Sequence, residues 1–93
     1  MTLGLLRVRL LLHEAASLKD KRGILKPLVH RLRTTHNVAV AEIDDQDIWR
    51  SAVLAITTVA AARTPVEKTL AAVADDLASS PQFDLVEEHV ELL

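Results

Sequence analysis

An apolar run that alternates from Leu3 to Leu12 gives way almost at once to Ser17-Leu18-Lys19-Asp20-Lys21-Arg22, a helix start loaded with positive charge. No other pair of neighbouring patterns constrains the fold as much. In the first, Leu6, Val8, Leu10 and Leu12 fall on one side and Leu5, Arg7, Arg9 and Leu11 on the other, the period-two signature of a half-buried strand over residues 3–13. In the second, Ser17 can cap a helix, and Asp20 three residues later makes a shortened capping box. The helix is expected to reach Thr35 or His36. Pro27 lies inside it, where it removes one ladder bond and presses on the carbonyl of residue 23. That residue is Gly23, whose missing Cβ leaves room, so one kinked helix is expected rather than two.

The remaining segments complete a pattern. Val38–Ile43 and Ile48–Val59 are rich in β-branched residues and flank Asp44-Asp45-Gln46-Asp47, a hairpin connection of turn formers. Thr64-Pro65-Val66-Glu67 reads as an N-cap, a proline at the first helical position and a glutamate at the third. Val66, Leu70, Val73, Ala74 and Leu77 then recur at helical spacing, Ser79-Ser80-Pro81 ends the helix, and Phe83–Leu92 forms a last strand. The order β-α-β-β-α-β is that of the ferredoxin-like α+β sandwich. Right-handed crossovers give a four-stranded antiparallel sheet in the order 4-1-3-2 with both helices on one face. Residues 1–93 make a single domain of this kind.

Composition narrows the function. Hydrophobic residues are 49% of the chain but aromatic ones only 2%, so the core must be aliphatic. Without cysteine there is no disulfide, thiolate nucleophile or Cys-ligated zinc. No apolar run approaches the ~20 residues of a membrane span, and Arg7 and Arg9 interrupt what would be a signal-peptide core. A cytoplasmic location is therefore expected. Charge is strongly divided: residues 1–36 carry eight Lys or Arg against two acids, and residues 64–93 carry one Lys against seven acids.

The basic excess has an ordered placement. At about 100° per residue, Lys19, Arg22, Lys26, His30 and Arg33 share one narrow arc of the first helix, opposite Leu25, Leu28 and Leu32. Only Asp20 is available to pair within that helix, whereas a face that merely solubilises usually mixes its signs. A phosphate-binding stripe is one reading and a solvated face the other. Lys21 lies on the apolar side of the same helix. Its stem can snorkel there, or its ammonium can pair with Glu42, which shares a strand face with Val38 and Val40. Ser17, Lys21, Glu42 and Trp49 are thus a candidate cluster, read either as a structural ion pair beside a packed indole or as a ligand site. On the open face of the sheet, Leu5, Leu11 and Leu85 form a candidate oligomer surface, while Arg7 and Arg9 are expected to pair with Glu87 and its neighbours on the last strand.

Catalytic signatures are lacking: no nucleophile elbow, phosphate loop or dinucleotide fingerprint is present. The four histidines have no metal-ligand spacing, and Asp44, Asp45 and Asp47 do not fit a calcium-binding loop. No catalytic residue, cofactor site or metal site is expected. The sheet also lacks the stacking aromatics of an RNA-recognition motif.

The string SLKDKR after the first strand, NVAVAE at 37–42 and Asp-Ile-Trp at 47–49 resemble the bacterial YlxP-like family of small uncharacterised ferredoxin-like proteins. The resemblance covers essentially the whole chain, and the positions that carry it include Ser17, Lys19, Lys21, Arg22, Glu42 and Trp49. It implies the same fold and a cytoplasmic bacterial protein. Because such proteins are often encoded beside translation-initiation and ribosome-maturation factors, it also implies an RNA or ribosomal partner by association. The resulting expectation is a non-enzymatic module that binds RNA or a ribosomal particle through its basic first helix. The alternative is a homodimer or larger homo-oligomer formed through the open sheet face.

Overall fold

The computed structural model describes all residues 1–93. In chain order it has β1 (Thr2–Leu12), α1 (Leu18–Thr35), β2 (Ala39–Asp44), β3 (Ser51–Ala60), α2 (Arg63–Ala78) and β4 (Phe83–Leu92). All strand pairs are antiparallel and the sheet order is β2-β3-β1-β4, the expected 4-1-3-2 read from the other edge. One aliphatic core joins Leu6, Val8, Leu10 and Leu12 of β1 to Leu25, Leu28 and Leu32 of α1 and to Val66, Leu70, Val73 and Leu77 of α2. Both helices therefore cover the same face. Phe83 is the one aromatic residue in that core, so the interior is built almost wholly of branched aliphatic side chains.

The start of α1 follows its sequence closely. Ser17 Oγ accepts from the Asp20 backbone N–H at 3.1 Å, and Asp20 Oδ2 accepts from Ala16 N–H at 3.0 Å. Two N–H groups at the helix start, which no intrahelical carbonyl can reach, are thereby satisfied. The helix continues unbroken through Pro27. Gly23 and Pro27 are both exposed, so the carbonyl that loses its donor faces water.

Three expectations change. The second helix is not capped by Thr64: it begins at Arg63, with Ala62 in the N-cap position and no side-chain cap. Thr64 and Pro65 fall within the first turn, where the backbone N–H groups have no intrahelical partner and a proline costs no ladder bond. Second, β3 starts at Ser51, not Ile48. Asp45 adopts φ 59°, in the left-handed region that Asp tolerates better than most residues, and Ile48 N–H donates to Asp45 O at 3.0 Å. That turn keeps Ile48 and Trp49 out of the ladder, while Arg50 O accepts from Leu12 N–H at 2.8 Å just ahead of β3.

The third change concerns the open face. A register shift between Arg9 and Leu10 lets Leu85 pair with Leu10 and Phe83 with Leu12, while Glu87 stays opposite Arg9. The bulge turns Leu85 to the helix side, where it packs on the core. Leu85 is thus not part of an open-face oligomer surface. Leu5 and Leu11 do lie on that face, opposite Thr57 and Ser51 respectively, but Arg7 and Arg9 stand between them.

Candidate nucleic-acid interface

Between α1 and the β2–β3 end of the sheet lies a cleft of about 510 Å³. Leu18, Leu25, Val29 and Leu54 supply its apolar surface. Arg22, Lys26, His30 and Arg33 line it from α1, and Glu42, Gln46 and Asp47 from β2 and the following loop. Four of the five residues of the basic stripe therefore meet in one groove. Lys19 does not; it borders a separate depression beside His13 and Gln82.

Of the six Lys and Arg on α1, Lys21 and Arg31 are ion-paired with Glu42 and Asp76. Lys19, Arg22 and Lys26 are exposed, and none takes part in an ion pair, although other cations of the chain do. Arg33 is partly committed, since its Nη2 donates to the Val40 carbonyl at 2.8 Å. That bond ties the end of α1 to β2 and leaves the remaining guanidinium donors unused.

Lys21 lies at the inner margin of the cleft and is only 2% exposed. Its Nζ donates to Asp45 O at 2.5 Å and to Ile48 O at 2.8 Å. The Glu42 carboxylate is also 2.8 Å away through Oε2, a buried oxygen in ionic contact but outside hydrogen-bond alignment. Burial of an ammonium is tolerated because all its surroundings are acceptors. The pairing of Lys21 with Glu42 was legible from their faces; the two loop carbonyls were not, because the turn at Asp45 has no sequence signal strong enough to fix it. Of the other two residues in that candidate cluster, Ser17 acts as the helix cap and Trp49 is 52% exposed and does not line the cleft. The indole is not a packed wall of the site.

The same loop is held from the opposite side of the sheet. Asp45 accepts from Ser51 Oγ at 2.7 Å and pairs with Arg9, which also reaches Ser51 Oγ at 3.0 Å and Glu87 at 3.2 Å. The Ser51 hydrogen bond, and after it the Arg9 guanidinium, hold the Asp45 carboxyl below the usual carboxylate range against the opposing effect of desolvation. Glu87 and Asp45 in turn raise the Arg9 pKa further. The network consumes Arg9 as expected, but Arg7, opposite His89, is exposed and makes no ion pair, so the expected pairing holds for only one of the two arginines. Asp45 was the loop-fastening residue that sequence reading missed: three aspartates in one turn look alike until the fold shows which one faces Arg9.

No helix is long and apolar enough to cross a membrane. The match to known sequences is extensive. Residues 3–90 fit the family described as protein of unknown function DUF503. The chain is 32% identical over 82 residues to uncharacterized protein YlxP of Bacillus subtilis (strain 168), covering 88% of this chain and 89% of that protein. With a family model that spans residues 3–90 and a near full-length relative at 32% identity, the chain belongs to the DUF503 family.

Proposed function

We propose that this protein is a non-enzymatic RNA-binding module of the cytoplasm that associates with RNA or a ribosomal particle through α1. The observation that carries the reading is the set of exposed, unpaired cations on that helix, Lys19, Arg22 and Lys26, two of which line one groove with His30 and Arg33. Cations that have no internal partner are free to displace counterions from a phosphate backbone. Asp76 on α2 pairs with Arg31 of α1 at 2.5 Å and Glu67 pairs with Arg63 at 3.1 Å, so neither acid engages Lys19, Arg22 or Lys26. Fluorescence anisotropy with a short single-stranded RNA, repeated across salt concentrations, tests the proposal. Contacts from Lys19, Arg22, Lys26 and Arg33 should give a log–log slope of about −2.8, taking −0.7 per phosphate. Absence of binding at low salt, with no co-sedimentation with ribosomal particles, overturns it.

A second reading is a homodimer through the open sheet face. It is favoured by Leu3 and Val59, which sit directly opposite one another there at 38% and 47% exposure beside Leu5. Analytical ultracentrifugation at micromolar concentration decides it: a dimer that Leu5→Asp converts to a folded monomer supports this reading, and a monomer from the outset removes it.

A further inference from the structure

Strand β4 pairs with β1 alone and ends the sheet on its side. Leu93 and Leu3 exchange both backbone hydrogen bonds, at 2.8 and 3.2 Å. In an antiparallel ladder such pairs recur at every second residue, so Glu91, His89 and Glu87 turn their backbone groups to Leu5, Arg7 and Arg9. Glu88, Val90 and Leu92 therefore turn their N–H and C=O groups outward. The side chains of the same three residues line a groove against Leu70 and Ala71 of α2. An open edge of this kind is a template for another strand, and proteins usually blunt it with a short strand, a proline or a lysine. The opposite edge is blunted: β2 has six residues, and Arg33 Nη2 already occupies the Val40 carbonyl at 2.8 Å. β4 has ten residues and no proline, lysine or arginine. Its bulge lies toward the start of the strand and leaves residues 87–92 in regular register.

We infer that this edge takes an extended segment of a partner protein, added antiparallel to β4 as a fifth strand, in which apolar and basic residues alternate. Main-chain bonds to Glu88, Val90 and Leu92 supply the attachment, and side chains supply the selection. Charge sets the chemistry of the occupant. Of the acids on β4, Asp84 lies 3.0 Å from His13 and Glu87 pairs with Arg9, whereas Glu88 and Glu91 take part in no ion pair. Arg63, the one cation that lines the groove, is engaged by Glu67, and Arg7 stands one strand further in, opposite His89. Residues directly opposite one another in an antiparallel pair are neighbours on one face. The segment thus sets apolar side chains against Val90 and Leu92, and basic ones against Glu88 on the groove side and Glu91 on the open face. A second copy of this chain does not fit, because its β4 sets acids against acids and its β2 brings Glu42 and Asp44. No residue of α1 takes part, so the inference stands apart from RNA binding.

The test titrates the isotope-labelled full chain with a peptide built on Val-Lys-Val-Thr-Arg, whose first residue falls opposite Leu92 and whose last falls opposite Glu88. The expected result is slowed hydrogen exchange at the Glu88, Val90 and Leu92 amides, with the already bonded amides of Glu87, His89 and Glu91 unchanged. Reversing both charges, Glu88→Lys with Glu91→Lys, should weaken binding about tenfold while retaining a cooperative melt, since two attractive cross-strand pairs become repulsive. If that variant does not fold, the unmodified protein still decides: a peptide with glutamate in place of its lysine and arginine should bind about tenfold more weakly or worse. Binding without protection of the three amides overturns strand addition. Equal affinity for the basic and acidic peptides overturns the charge selection, and no binding at millimolar peptide overturns the inference as a whole. RNA affinity, measured separately, is untouched by any of these outcomes.

Discussion

Over β1, α2 comes so close that a Cβ placed on Gly4 would stand 2.4 Å from Val66 Cγ1 and 2.8 Å from Leu70 Cδ1. Over β2, α1 stands off, leaving the cleft with Lys21 at its margin. Both helices cover the same face of the same sheet, and both are amphipathic. The contact residues set the difference. The side of α2 facing the sheet is Val, Leu and Ala against a glycine, so helix and strand approach to direct contact. On α1 the first buried position is a lysine, whose long stem must carry its ammonium to acceptors on β2 and the loop beyond it. Close packing leaves no cleft between α2 and β1, whereas the buried cation and its acceptors stand at the margin of a cleft beside α1. One helix thus closes on its strand, and the other leaves an open cleft beside β2.

The comparison is broken most severely at Lys21. Lys21→Ala strands the buried Glu42 oxygen and two carbonyls, a loss of about 3 kcal/mol by analogy with other broken buried pairs. Chemical denaturation measures it directly, and a variant as stable as the parent would mean that the β2–β3 loop is not fastened through this ammonium. On the closed side, Gly4→Ala drives a methyl group into Val66, a branched side chain with little freedom to retreat. Overpacking of this kind costs about 2 kcal/mol, and thermal melting should show it with RNA affinity unchanged.

A sharper contrast comes from exposed groups on α1. Replacing Arg22 and Lys26 together with alanine should reduce the salt slope by ~1.4 and weaken RNA binding roughly 25-fold at 0.1 M salt. Stability should change by less than ~0.5 kcal/mol, as expected for exposed helix charges. Equal affinity of variant and parent would move the phosphate site off this helix.

The acid limb of stability probes the loop from the other face. Because the folded Asp45 carboxyl is lowered, its contribution is complete above the ordinary carboxylate value of about 3.9 and disappears as pH falls through the lower folded value. Asp45→Asn keeps a residue that tolerates positive φ and removes only the charge. Its melting temperature should therefore fall less steeply below pH 4 than that of the parent. Identical acid limbs would assign the pH dependence to other carboxyls. The smallest effect belongs to Thr64→Ala, since α2 has no side-chain cap to lose. A change within ~0.5 kcal/mol is expected; a loss nearer ~1 kcal/mol would restore Thr64 as the cap.

Where sequence reading succeeded, the signal was local. Alternation from Leu3 to Leu12, the Ser17–Asp20 cap and the recurrence of Val66, Leu70, Val73 and Leu77 each reflect the geometry of a single element, and each element appeared. The failures share a cause as well. The bulge opposite Arg9 is a property of two paired strands, so Leu85 looks like an open-face residue when β4 is read alone. Thr64 and Pro65 carry a strong start signal, yet the chain entering from β3 is already helical at Arg63.

The amino-acid order alone determined the element sequence, the aliphatic core, the basic face of α1 and the inward position of Lys21, because period and side-chain chemistry are written residue by residue. Tertiary structure decided what those faces meet. It brought Arg22, Lys26, His30 and Arg33 to the same groove as Glu42, set Lys19 outside it, and gave Lys21 the carbonyls of a turn more than twenty positions away in sequence. It also made Gly4 a contact requirement for α2, although nothing around Gly4 in the chain indicates that role. The physical reason is that hydrogen-bond alignment, close approach and enclosed space depend on the separation of elements, and that separation is fixed only when the two helices settle on one sheet.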